Sequence, residues 1–132
     1  MEIRRYADVG RCLVDAFPEL QASYAARLKE AEDLGGELGQ YEIFWYIVKP
    51  LFYKLLDSEQ GDSTLRRLFG FFEDMARSPD IEVGNLLEIE IFESLVGQPE
   101  RLRKAWSYMG PETKALARDM ARIRRREKNL PA

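Results

Sequence analysis

Residues 81–97, IEVGNLLEIEIFESLVG, decide the fold of this chain. Read two at a time, Leu87-Glu88-Ile89-Glu90-Ile91 alternates apolar and acidic side chains, as an exposed edge strand would. Read by threes and fours, Leu86, Ile89, Phe92 and Val96 fall along one side of a helix. No second strand is evident elsewhere, and a lone strand leaves its backbone N–H and C=O groups without partners. The stretch is therefore expected to be helical, and the rest of the chain follows suit.

Working outward, Ser78-Pro79-Asp80 reads as a cap, a first-turn proline and an acid at the positive end of the helix dipole. Before it, residues 63–77 carry Leu65, Leu68, Phe69, Phe72, Met75 and Ala76 in helical steps, with Asp62 or Ser63 as the cap. After it, Gly97 ends the segment and Pro99 opens a short helix through Met109. Gly110-Pro111 then precedes a last helix carrying Leu116, Met120 and Ile123. At the other end, a helix from about Arg4 to Ala16 aligns Tyr6, Val9, Leu13 and Val14. Pro18 starts a second helix to about Asp33, with Leu20, Tyr24 and Leu28 four apart, closed by Gly35-Gly36 and Gly39. The densest apolar run, residues 43–48 followed by 51–53 and Leu55-Leu56, is expected at the core; Pro50 either kinks it or begins a new helix. The expected fold is all-α, a single domain over residues 1–132 built as a bundle of about six to seven helices.

Composition agrees with a folded domain: 45% hydrophobic and 33% charged residues leave enough apolar material for one core. Cys12 is the only cysteine, so no disulfide can form within the chain. No apolar signal follows the charged N-terminus, and residues 43–53 are too short to span a bilayer, so a cytoplasmic address without a membrane is expected. Charge is unevenly spread. Residues 1–100 hold 10 Lys/Arg against 20 Asp/Glu, whereas residues 101–132 hold 10 against 3. An acidic body thus carries a basic end.

The chain has no histidine, which excludes Ser-His-Asp and Cys-His catalysis and histidine metal sites. Glycine-rich phosphate loops are absent, and Cys12 reads as a half-buried helix residue beside Arg11. Glu90-x-x-Glu93, with Glu73 on the preceding helix, is the one acidic constellation with chemical potential, as a magnesium site or an acid–base pair. Such residues more often form a solvated face, and neither an enzyme, a metal nor a cofactor is expected. Arg118, Arg122, Arg125 and Arg126 stripe the last helix with Arg124 and Lys128 nearby, as a phosphate-binding surface would. The acidic remainder argues against nucleic acid, and cations suit a helix C-terminus in any case. By spacing Trp45, Tyr46, Phe52, Tyr53, Phe69 and Phe72 read as core, while Phe71 falls off that face, as part of a broad buried stripe or as an exposed anchor.

Three pieces carry a family resemblance: Phe17-Pro18-Glu19-Leu20; residues 68–73 followed by Val83-Gly84-Asn85-Leu86-Leu87; and Phe92-Glu93-Ser94-Leu95. Over residues 17–97 the chain resembles small bacterial helical proteins associated with polymorphic toxin systems as immunity proteins. Ser94 departs from that pattern, which has asparagine there. The resemblance implies an inhibitor whose partner is a cognate toxin domain, bound and occluded by an acidic helical face. The residues expected to form that face are Glu73, Asp74, Glu88, Glu90 and Glu93, with Phe71 as anchor. Glu73, Asn85 and Glu93 have a second reading, as internal hydrogen-bonding groups between helices. A helical adaptor with another protein partner is the alternative, and the sequence leaves the oligomeric state open.

Overall fold

The computed structural model describes residues 2–131; Met1 and Ala132, the ends of the expected domain, lie outside the described residues. Among the described residues all regular structure is helical, in seven rods. They are α1 (Val9–Ala16), α2 (Gln21–Asp33), α3 (residues 40–56), α4 (Asp62–Ala76), α5 (residues 81–95), α6 (Pro99–Trp106) and α7 (Pro111–Ile123). Short 3-10 turns at Tyr6–Asp8, Pro18–Leu20 and Glu127–Asn129 join or extend them. The first and sixth rods are shorter than expected, because Tyr6–Asp8 is a 3-10 turn and α6 stops at Trp106.

The fourth rod is the hub. Its apolar positions alternate in steps of three and four, so Leu65, Leu68, Phe69, Phe72 and Met75 stay on a broad buried side that also takes in Phe71. It packs against α3, α5 and α7. Phe52 of α3 meets Phe69 and Phe72 edge-on, with ring centroids 5.6 and 5.8 Å away, a geometry aromatic rings prefer. Phe71 is core as well, packed edge-on against Phe17 at 6.2 Å, so it is no exposed anchor.

Both α3 and α5 contain a π-helical turn, at Phe44–Val48 and Glu88–Phe92. Their sequences explain why. Phe44, Val48, Phe52 and Leu56 are all buried at strict intervals of four, as are Val83, Leu87, Ile91 and Leu95. In a regular α-helix a four-residue step overshoots one turn by about 40°, so such a row spirals off the core. A π turn, closed here by Lys49 N–H to the Phe44 carbonyl and by Glu93 N–H to the Glu88 carbonyl, absorbs an extra residue and returns the row to the interior. Pro50 aids the first turn, since it has no N–H to offer the Tyr46 carbonyl, and α3 continues through it.

These turns correct two expectations. Ile89, assigned to the buried side of the fifth helix, is 48% exposed, and Ile91 takes its place inside. Trp45 and Tyr46, assigned to the core, are 55% and 47% exposed, because the residues that α3 turns inward around the π turn are Ile43, Phe44, Ile47 and Val48. Two caps also differ. Asp80, not Ser78, caps α5: its Oδ1 accepts from Glu82 N–H at 3.0 Å and its Oδ2 from Tyr6 N–H at 2.8 Å. Neither Asp62 nor Ser63 caps α4. Asp62 lies in the first turn, accepting from Tyr108 Oη at 2.7 Å and Arg66 Nε at 3.1 Å.

Candidate functional site

The six residues expected to form one acidic face divide into two groups. Phe71, Glu73 and Asp74 line a groove of about 470 Å³ between the end of α1 and α4, and none of Glu88, Glu90 or Glu93 borders it. The latter three ride on or beside the second π turn.

Glu73 belongs to the interior. It is 7% exposed and takes the N–H groups of Glu112 and Thr113 at 2.8 and 2.9 Å and the Thr113 hydroxyl at 2.8 Å. Those donors are the otherwise unpaired first turn of α7, so the carboxylate caps that helix from another one. Gly110 is required beside it, because a Cβ there would come within 2.6 Å of the carboxyl carbon. Burial pushes the Glu73 carboxyl up, but these hydrogen bonds and Arg77 outweigh it and hold the group below its ordinary range. The internal reading of Glu73 thus describes its position. Asp74 is half-buried, with Arg77 at 3.8 Å. Asn85 is half-buried on α5.

Glu90 is nearly as buried, at 9% exposure, with no such donors among the described residues. Burial raises its carboxyl above the ordinary range; Lys49 opposes the shift and Glu93 adds to it. Glu88, half-buried on the opposite flank of the π turn, is also raised by burial and by Asp119 of α7. Glu93 is ion-paired with Arg124. Between Glu88 and Glu90, Ile89 points outward.

The neighbouring side of α3 completes this surface. Tyr41, Trp45 and Lys49 follow one another at intervals of four, and the Lys49 ammonium sits 4.5 Å from the Trp45 ring centre. Burial raises the Tyr41 phenol, and Tyr6, Glu82 and Glu90 add to the shift, placing Tyr41 in the same electrostatic neighbourhood. The outer side of α5 therefore presents Glu82, Glu88 and Ile89, with Trp45 at one margin and Asp119 at the other. Sequence reasoning missed Trp45, Ile89 and Glu82. The strict four-residue rows were the signal that would have placed the first two outside.

Much of the basic stripe is already occupied. Arg122 pairs with Asp119 at 3.2 Å and Arg124 with Glu93, while Lys114 and Arg118 lie 5.5 and 5.3 Å from the Trp106 ring centre. Among the described residues no cluster of Cys, Asp and Glu is arranged to hold a metal ion, and no helix is long and apolar enough to cross a membrane. A family model described as a domain of unknown function (DUF7674) matches residues 11–125, nearly the whole helical body. No curated protein and no solved structure matches the chain.

Proposed function

We propose that this chain, which belongs to the DUF7674 family of domains of unknown function, works by binding a basic protein partner through the outer side of α5 and the Trp45 margin of α3. The observation that carries the reading is that Trp45 and Ile89 are both exposed, Trp45 against Lys49, whose charge acts on Glu90, and Ile89 between Glu88 and Glu90. Tryptophan is among the residue types that dominate binding energy when a partner covers them, and surrounding carboxylates steer a basic surface toward them. Glu90 supports the surface from below, whereas Glu88 and Glu82 are placed to meet the partner's cations.

A narrower form of this proposal follows from the sequence resemblance: the partner is a toxin domain, and the chain is its immunity protein. Enzymes that attack nucleic acids or nucleotides carry basic clefts, and an acidic helical face with an aromatic anchor is suited to fill one.

Tagged protein recovered from its native cells, with companions identified by mass spectrometry, tests the reading. The expected companion is one protein in stoichiometric amount with a strongly basic cleft, and a toxin domain supports the narrower form. Recovery of nucleic acid, or of a partner whose binding survives Trp45→Ala together with Glu88→Lys, would overturn it.

A further inference from the structure

Gly70 sits in the middle of α4, where glycine is among the poorest helix formers. Packing does not demand it: beyond its own helix backbone and chain neighbours, a Cβ built there meets no atom of the described residues within 4 Å. The open position lies in the groove between α1 and α4, floored by Ala16, Phe17 and Phe71 and flanked along α4 by Arg67, Asp74 and Arg77. Gly70 is thus a helical glycine whose missing side chain leaves room for something from outside. Small residues at a helix surface let a second helix approach closely, to axial distances of about 8–10 Å.

The charges around it say what that helix is. Arg67 and Asp74 are one heptad apart, about 10 Å along the axis, with Gly70 between them. A two-fold axis passing between Gly70 and Phe71 sets α4 antiparallel to α4 of another molecule and brings each Arg67 opposite the other's Asp74. Inside one molecule Arg67 holds Glu19 at 3.1 Å and Asp74 lies 3.8 Å from Arg77. Across the axis Glu19 and Arg67 of one copy then continue into Asp74 and Arg77 of the other, alternating in sign, twice over. We infer that this groove is a self-association surface, filled by α4 of a second copy of the chain in a two-fold, antiparallel contact centred beside Gly70. This surface is separate from the Trp45 face, so one dimer presents two copies of that face.

Sedimentation equilibrium over a concentration series, paired with thermal melts at dilute protein, tests the inference. Wild type is expected to pass from monomer to dimer as concentration rises. Gly70→Leu is expected to stay monomeric while its dilute melting temperature rises by about 3 °C; Gly84→Ala, at the other open helical glycine, is expected to raise the melt and leave the dimer intact. Arg67→Asp alone and Asp74→Arg alone each set like charges across the axis and should weaken association at least ~10-fold. An equimolar mixture of those two variants restores both opposite-sign contacts, and a one-to-one heterodimer is expected. A wild type that remains monomeric throughout, a Gly70→Leu dimer, or a mixture no tighter than its components would overturn the inference.

Discussion

Glu73 and Glu90 are the same side chain at nearly the same depth, and the two regions around them treat it in opposite ways. Glu73 faces the start of α7, where three donors wait for an acceptor, and its carboxyl is held below the ordinary range. Glu90 sits on a π turn beside Lys49 and Glu93, and its carboxyl is raised. Burial penalises both anions; the donors and the neighbouring charges differ. A buried acid that closes a helix end is part of the scaffold. One left short of donors at the margin of an exposed aromatic is a standing cost that a cationic partner can relieve. The comparison therefore separates two residues that a reading by charge alone had placed on one face.

Substitution gives the largest contrast. Glu73→Ala orphans the first turn of α7 and removes a helix-to-helix link, with an expected loss of about 3 kcal/mol, or roughly 10 °C in melting temperature. Glu90→Gln is expected to have the opposite sign, a gain of up to about 1 kcal/mol, because the amide is buried without a charge penalty. Chemical denaturation of both variants checks this. Equal losses would erase the distinction.

Acid titration sharpens it further. Glu73, with its depressed folded-state pKa, contributes stability that is present above the ordinary carboxylate pKa and lost as pH falls through the folded value. Glu88 and Glu90, with raised folded-state values, carry a penalty at neutral pH that is relieved as pH falls through those values toward the ordinary one. Mild acidification should thus stabilise the wild type slightly before Glu73 begins to titrate, and the Glu88→Gln/Glu90→Gln double variant should lose that rise. Carboxyl carbon NMR reads each group directly. The smallest effect is expected from Arg124→Ala, which frees the Glu93 charge and pushes the Glu90 carboxyl further up. No movement there would mean that Glu93 does not act on Glu90.

The helical class was legible because glycine and proline punctuate the chain and apolar residues step by threes and fours between them. The hub α4 follows that pattern closely, and Leu65, Leu68, Phe69, Phe72 and Met75 are buried as expected, whereas Glu73 and Phe71, expected in an acidic face and as its anchor, are buried too. Where rows step strictly by four, in α3 and α5, the same reading turned Trp45, Tyr46 and Ile89 inward, since it assumed an α-helix throughout. The two π turns were written in the interval, and Pro50 marked only one of them. Glu73 was harder still. Its donors lie 39 and 40 residues away, and nothing local distinguishes a carboxylate that caps a remote helix from one that faces solvent.

The claim that the α5 surface is a docking face is tested most directly by the affinity of the captured partner for wild type and for Trp45→Ala/Glu88→Lys, both verified as folded by circular dichroism. Loss of the aromatic anchor and reversal of a neighbouring charge should weaken binding at least ~100-fold, mainly through faster dissociation. An unchanged affinity in the folded double variant would contradict the account and move the docking surface elsewhere on the molecule.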